Sequence, residues 1–119
     1  MIQQEVDALS GQHERVFIGG FSQGCSIVIA TFLLYKKGKL GGCVGFSGHH
    51  SASLLYDKEV DLEQKRQTKI LLHNGQDDMP LTKLAEKSYA ELKDKKLQID
   101  WEIEPGLGHE MSERGLERL

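Results

Sequence analysis

Between Val16 and Ile29 the chain reads VFIGGFSQGCSIVI. A β-branched and aromatic run passes through a glycine-serine-glycine corner straight into a long apolar stretch that has no proline as far as Lys37. The first run has the character of a short buried strand, and the second suits a helix buried on much of its surface. No loop residues separate them, so strand and helix must meet at a single sharp turn. Gly20-Phe21-Ser22-Gln23-Gly24 is that turn. It matches G-x-S-x-G, in which small residues let the backbone turn while the serine holds a strained conformation with its hydroxyl exposed. Alone the pattern says little, because with 13 glycines in 119 residues chance supplies it on the order of one time in ten. The bland alternative is a glycine-rich turn whose serine caps a helix. A strand directly before the motif and a helix directly after it raise it above composition.

The rest of the chain repeats this alternation. Ile2, Val6 and Leu9 fall at helical spacing before Ser10-Gly11, so the chain is expected to begin inside a helix. Gly42 to Phe46 and Lys69 to His73 are short apolar strand candidates, and His50 to Arg66 is a polar connection expected to be loop with some helix. Leu81 to Lys95 reads as a helix with Leu84, Ala85, Ser88, Tyr89 and Leu92 on one face. Gln98 to Glu104 alternates Ile99, Trp101 and Ile103, a strand with one face more buried than the other, and His109 to Leu119 is expected to form a terminal helix. Strands and helices in alternation predict an α/β fold, a mainly parallel sheet of about four strands with helices on both faces. Residues 1–119 read as a single domain without repeat, linker or low-complexity tract.

Charge and composition exclude several classes. The net charge of −3 gives no positive field to favour a phosphate backbone, so no nucleic-acid partner is expected. Lys36-Lys37-Gly38-Lys39 and Lys93 to Lys96 follow helix-like segments, where they complement the carbonyl ends of the helix dipoles. No apolar run approaches the roughly 20 residues of a membrane span, and Met1 to Glu5 lacks the character of a secretion signal. The expected compartment is the cytoplasm. Cys25 and Cys43 have no metal-binding spacing and read as reduced, buried thiols. Adjacent His49 and His50 lack a third ligand, so neither metal nor cofactor is expected.

In a parallel α/β sheet, functional groups collect at the carboxyl ends of strands. A serine hydroxyl needs a histidine to accept its proton, and that histidine needs a carboxylate to hold its tautomer. Asp77-Asp78 follows the strand ending at His73, and His109 follows the strand ending at Glu104. The order is therefore serine, acid, histidine, at three successive strand ends. His13 and His49-His50 read as structural or solvent-exposed. His73 reads as a ring that braces a loop through hydrogen bonds, and Ser47 is set aside because its glycine spacing does not fit the motif.

With these residues assembled, RVFIGGFSQGCSIVIA, LGGCVGFSGHH, ILLHNGQDDMP and EPGLGHEMS together resemble the acyl-protein thioesterase, lysophospholipase and carboxylesterase family of α/β-hydrolases. The resemblance covers nearly the whole chain and implies a serine hydrolase that cleaves acyl esters or thioesters, with an S-acylated protein or a lysophospholipid among the substrates. It makes Ser22 the nucleophile, His109 the general base and then acid, and the backbone N–H of Gln23 an oxyanion donor. The family pattern runs histidine-glycine-x-x-aspartate, but Asn74 is interposed here. Counting from Gly75 selects Asp78, counting from His73 selects Asp77, and Asp78 is preferred because the glycine fixes the turn that aims the carboxylate.

The resemblance is to the C-terminal half of the family, a truncated α/β-hydrolase. The strands that precede the serine turn in the family, and the loop with the second oxyanion donor, have no counterpart here. Losing one such donor typically costs ~3 kcal/mol of transition-state stabilisation. The strand carrying Ser22 is then expected to be an apolar sheet edge open to self-association. The alternative expectation is accordingly a catalytically inactive remnant or interaction module that associates through this edge.

Overall fold

The structure, a computed structural model, describes residues 13–49 and 60–119. The helix expected over Ile2 to Leu9 and much of the 50–66 connection lie outside the described residues. A single 3-10 turn at His13–Arg15 leads into strand β1 (Phe17–Phe21) and helix α1 (Gln23–Leu34). Strand β2 (Gly42–Phe46), the short helix α2 (Leu62–Lys65) and strand β3 (Lys69–Gly75) follow. The chain then forms helix α3 (Leu81–Asp94), strand β4 (Gln98–Glu104) and the short helix α4 (Glu113–Glu117).

The four strands make one sheet in the order β1-β2-β3-β4. Every pairing is parallel, with Phe17 opposite Gly42, Cys43 opposite Ile70 and Lys69 opposite Gln98. All four carboxyl ends therefore lie along one side of the sheet. Ser22, Ser47, the Asp77-Asp78 turn and the His109 loop each follow one of those ends.

Period-two alternation sorts the strand residues between the faces. Ile70, Leu72 and Cys43 pack with Cys25, Ile29, Phe32 and Leu33 of α1 and with Ala85, Tyr89 and Leu92 of α3. Each large side chain fully buried there contributes roughly 1.5–3 kcal/mol. Tyr89 meets Trp101 edge-on at 5.4 Å, and its hydroxyl lies 3.5 Å from Cys25 Sγ. Both cysteines are free and buried, and desolvation raises the pKa of each thiol. Lys65 is buried too. Its ammonium donates to Tyr35 O at 2.5 Å, at the end of α1, and lies over the Phe32 ring. Desolvation lowers its pKa.

The opposite face carries Leu71 and His73 of β3 beside Asp100 and Glu102 of β4, and α4 packs against it. Arg118 reaches Asp100 and Glu102, and Arg114 pairs with Glu102. Gly115 lets α4 come this close, since a Cβ there would lie 3.1 Å from both His73 and Phe46 side-chain atoms.

Three local expectations change. The buried face of α3 is Thr82, Ala85, Ser88, Tyr89 and Leu92, whereas Leu84 is 50% exposed. Spacings of three and four from Ala85, Tyr89 and Leu92 lead back to Thr82, which turns Leu84 outward. The final helix begins at Glu113 because the Ser112 side chain accepts the Gly115 N–H, which leaves residues 109–111 as loop. Ile103 does not join Ile99 and Trp101 against the core but is 37% exposed. β1 is an edge strand among the described residues, with Phe17 66% exposed.

Candidate active site

Ser22 occupies the one-residue corner between β1 and α1 with φ 59° and ψ −122°. A positive φ is unfavourable for a residue with a Cβ and is held here by the surrounding backbone. Ser22 N–H donates to Phe46 O at 2.8 Å, and Cys25 N–H returns to Ser22 O at 3.0 Å. The two glycines of the motif are not equivalent. A Cβ on Gly20 would lie 2.2 Å from Gly24 O, so the corner requires glycine there, whereas a Cβ on Gly24 meets nothing within 4 Å.

Ser22 Oγ lies 2.7 Å from His109 Nε2, and His109 Nδ1 lies 2.7 Å from Asp78 Oδ2. An ionised carboxylate can only accept, so Nδ1 carries the ring proton and Nε2 is free to accept from the serine hydroxyl. The Asp78 side chain is 11% exposed and that of His109 is 43% exposed, so a carboxylate shielded from water orients a ring that faces solvent. The Phe21 ring stands 5.3 Å from the imidazole, tilted by 42°. The N–H of Gln23 is in the first turn of α1, where the helix supplies no acceptor and the dipole favours negative charge.

Of the two candidate carboxylates, Asp78 reaches His109. Asp77 instead gives its backbone N–H to Leu107 O at 2.9 Å, and its side chain is exposed. The turn is set by Asp78 N–H donating to Gly75 O and by Thr82 Oγ1 donating to the same oxygen at 2.5 Å. The interposed Asn74 has a structural use. Fully buried, it donates from Nδ2 to Gly48 O at 3.0 Å and accepts from Trp101 Nε1 at 2.9 Å, joining the end of β2 to β4.

The His109 loop is held by residues that the motifs did not single out as functional. Ser47, set aside on its glycine spacing, has φ 54° and donates from Oγ to Glu110 O at 3.1 Å. Ser112 Oγ donates to Glu104 Oε1 at 2.5 Å, and His73, the expected loop brace, bonds the same oxygen at 2.9 Å. The hydrogen bonds from Ser112 and then His73 hold the Glu104 carboxyl below the usual glutamate pKa. A signal for Ser47 was present in its own position: it follows a strand end, as Ser22 does. His13 bonds the Tyr35 hydroxyl at 2.9 Å, and His49 offers its carbonyl to Ser26 Oγ at 2.5 Å, so neither joins the site. His50 lies outside the described residues. Among the described residues, no group of three or more His, Cys, Asp or Glu side chains is placed to hold a metal ion.

A family model described as Phospholipase/Carboxylesterase matches residues 1–119. Carboxylesterase SOBER1 of Arabidopsis thaliana is 34% identical over 120 residues, covering 100% of this chain and 51% of that protein. Acyl-protein thioesterase 1 of Gibberella zeae is 35% identical over 112 residues, 92% of this chain and 46% of its own. The crystal structure of Arabidopsis SOBER1 superposes with a TM-score of 0.84 at 34% identity, over 98% of this chain and 55% of the SOBER1 chain. The chain thus spans about half the length of the curated relatives it matches.

Proposed function

The chain belongs to the phospholipase/carboxylesterase family, and from that premise we propose that Ser22, His109 and Asp78 are the catalytic triad of a serine hydrolase acting on acyl esters or thioesters. The observation that carries this reading is the continuous relay from Ser22 Oγ through His109 to Asp78, with both contacts at 2.7 Å and its members drawn from three strand ends.

In the proposed reaction Ser22 Oγ attacks the acyl carbonyl as His109 Nε2 takes its proton, and Asp78 stabilises the imidazolium that forms. The Gln23 N–H donates to the developing oxyanion. His109 then returns the proton to the departing alcohol or thiol, which leaves an acyl-Ser22 ester. Water attacks this ester with His109 again as base, releasing the acid and restoring the serine.

Relatives named as carboxylesterases and acyl-protein thioesterases support testing both leaving-group classes. Hydrolysis of p-nitrophenyl acyl esters and of acyl thioesters, each compared with Ser22→Ala, is the direct assay. Loss of turnover of at least one class in the variant is expected, and turnover unchanged by Ser22→Ala would overturn the reading.

The exposed Phe17 on the β1 edge favours a second, compatible property, self-association through that strand. Sedimentation of the chain against Phe17→Lys tests it: a dimer that the lysine dissociates supports association, and a wild-type monomer at high concentration excludes it.

A further inference from the structure

His109 sits on a mostly exposed segment anchored by the buried Leu107. Pro105 to Met111 contains Gly106 at φ 77° and Gly108, and most of its residues are exposed. Its interior is tied at Leu107 O by Asp77 N–H and at Glu110 O by Ser47 Oγ, and fixing its ends removes the backbone freedom that the glycines leave. The flanking residues, Glu104 at the end of β4 and Ser112 at the start of α4, are joined side chain to side chain. Ser112 Oγ donates to Glu104 Oε1 at 2.5 Å.

The same oxygen is held from a second direction. His73 Nδ1 lies 2.9 Å from Arg118 Nη1, and a guanidinium can only donate, so Nδ1 is the acceptor and the ring proton is on Nε2. That proton points at Glu104 Oε1, 2.9 Å away. His73 is 2% exposed and the Glu104 side chain 16% exposed, so water competes weakly for these bonds. His73 belongs to β3, the strand that delivers Asp78. One carboxylate oxygen therefore links the strand behind the acid, the strand behind the histidine and the far end of the histidine loop.

We propose that Glu104 is a positioning residue, a latch that closes the 105–111 loop and fixes the His109 ring between Ser22 and Asp78. The inference rests on the triad proposed above for its catalytic consequence. Glu104 touches no reacting atom; it acts through the backbone on either side of His109. A displacement of about 1 Å in a reacting group can cost about a hundredfold in rate, so loosening the latch changes the chemical step more than substrate binding.

The experiment uses the full chain as wild type, Glu104→Ala and Glu104→Gln, with thermal melting to establish folding. Two readouts are taken: the rate of Ser22 phosphonylation by a fluorophosphonate, and the low-field proton resonance of His109 Nδ1–H. Glu104→Ala is expected to fold, to label at least about tenfold more slowly and to lose or broaden the resonance by exchange. Glu104→Gln retains an oxygen that accepts from both Ser112 and His73, and it is expected to label within about threefold of wild type. If Glu104→Ala does not fold, Ser112→Gly carries the test, since glycine is tolerated at a helix N-cap and removes the hydroxymethyl group that holds Glu104; slowed labelling and a broadened resonance are again expected.

A folded Glu104→Ala with wild-type labelling and an intact resonance overturns the latch. Absence of Ser22-dependent labelling in the wild type counts against the triad reading alone. In that event the resonance decides the latch, its persistence in Glu104→Ala overturning the proposal and its loss supporting it.

Discussion

The Cβ that Gly75 lacks would lie 2.2 Å from Leu107 O. The residue that ends β3 and the loop that carries His109 thus occupy one shared space, and Asp77 N–H donates to the same Leu107 oxygen at 2.9 Å. Through this contact the two turns that present Asp78 and His109 fix each other's position. Glycine is needed at position 75 less for an unusual backbone angle than for the approach of a second chain segment.

Gly75→Ala is accordingly expected to push the 107–108 backbone away from the sheet and separate His109 from Asp78. Overpacking of this kind costs about 1–3 kcal/mol, which a denaturant melt measures. Ser22 labelling should fall by more than the loss of folded protein accounts for. A variant with wild-type stability and labelling would remove Gly75 from the account of the site.

The two glycines of the serine motif should respond differently to alanine. Gly20→Ala places a Cβ 2.2 Å from Gly24 O and is expected to disrupt the corner. Gly24→Ala meets open space in the first turn of α1 and is expected to be neutral or to stabilise by up to about 1 kcal/mol, because alanine loses less entropy than glycine in a helix. Paired thermal melts distinguish the two, and equal destabilisation would contradict the steric argument.

Asp78→Asn should slow acylation of Ser22 by roughly 10³–10⁴-fold, since an amide no longer enforces the tautomer with Nε2 free to accept. Asp77→Asn leaves the backbone bond to Leu107 in place and should change the rate by less than about twofold. Acylation rates measured by stopped flow separate them, and reversed sensitivities would reassign the acid.

Stability should depend on pH through Glu104. Its folded-state pKa is depressed by the bonds from Ser112 and His73, so its contribution is complete above the ordinary glutamate value and is lost as pH falls through the lower, folded-state value. Glu104→Gln is therefore expected to be less stable than wild type at neutral pH, with the gap closing in acid. Denaturant titrations at a series of pH values check this, and a gap that widens toward low pH would contradict it.

Much of the fold was legible because its signals are local. Short apolar runs placed β1, β2 and β3, alternation placed β4, and the passage from strand to helix with no loop placed Ser22 at a corner. Asp77 and Asp78 could be ranked by spacing, but the distinction became visible only in the turn, where one sends its carboxylate to His109 and the other its N–H to Leu107. The Glu104–Ser112 and Ser47–Glu110 contacts depend on where a loop closes in space, which no periodicity encodes. Asn74 interrupts the histidine-glycine pattern, and its use as a bridge between Gly48 and Trp101 requires neighbours 26 and 27 residues away.

The most direct test of the central claim is the intact mass of the chain after exposure to a fluorophosphonate, followed by peptide mapping. One adduct per chain is expected, located on Ser22, absent from Ser22→Ala and formed at least about a thousandfold more slowly in His109→Ala. An adduct elsewhere, or labelling of Ser22 at the same rate without His109, would contradict it.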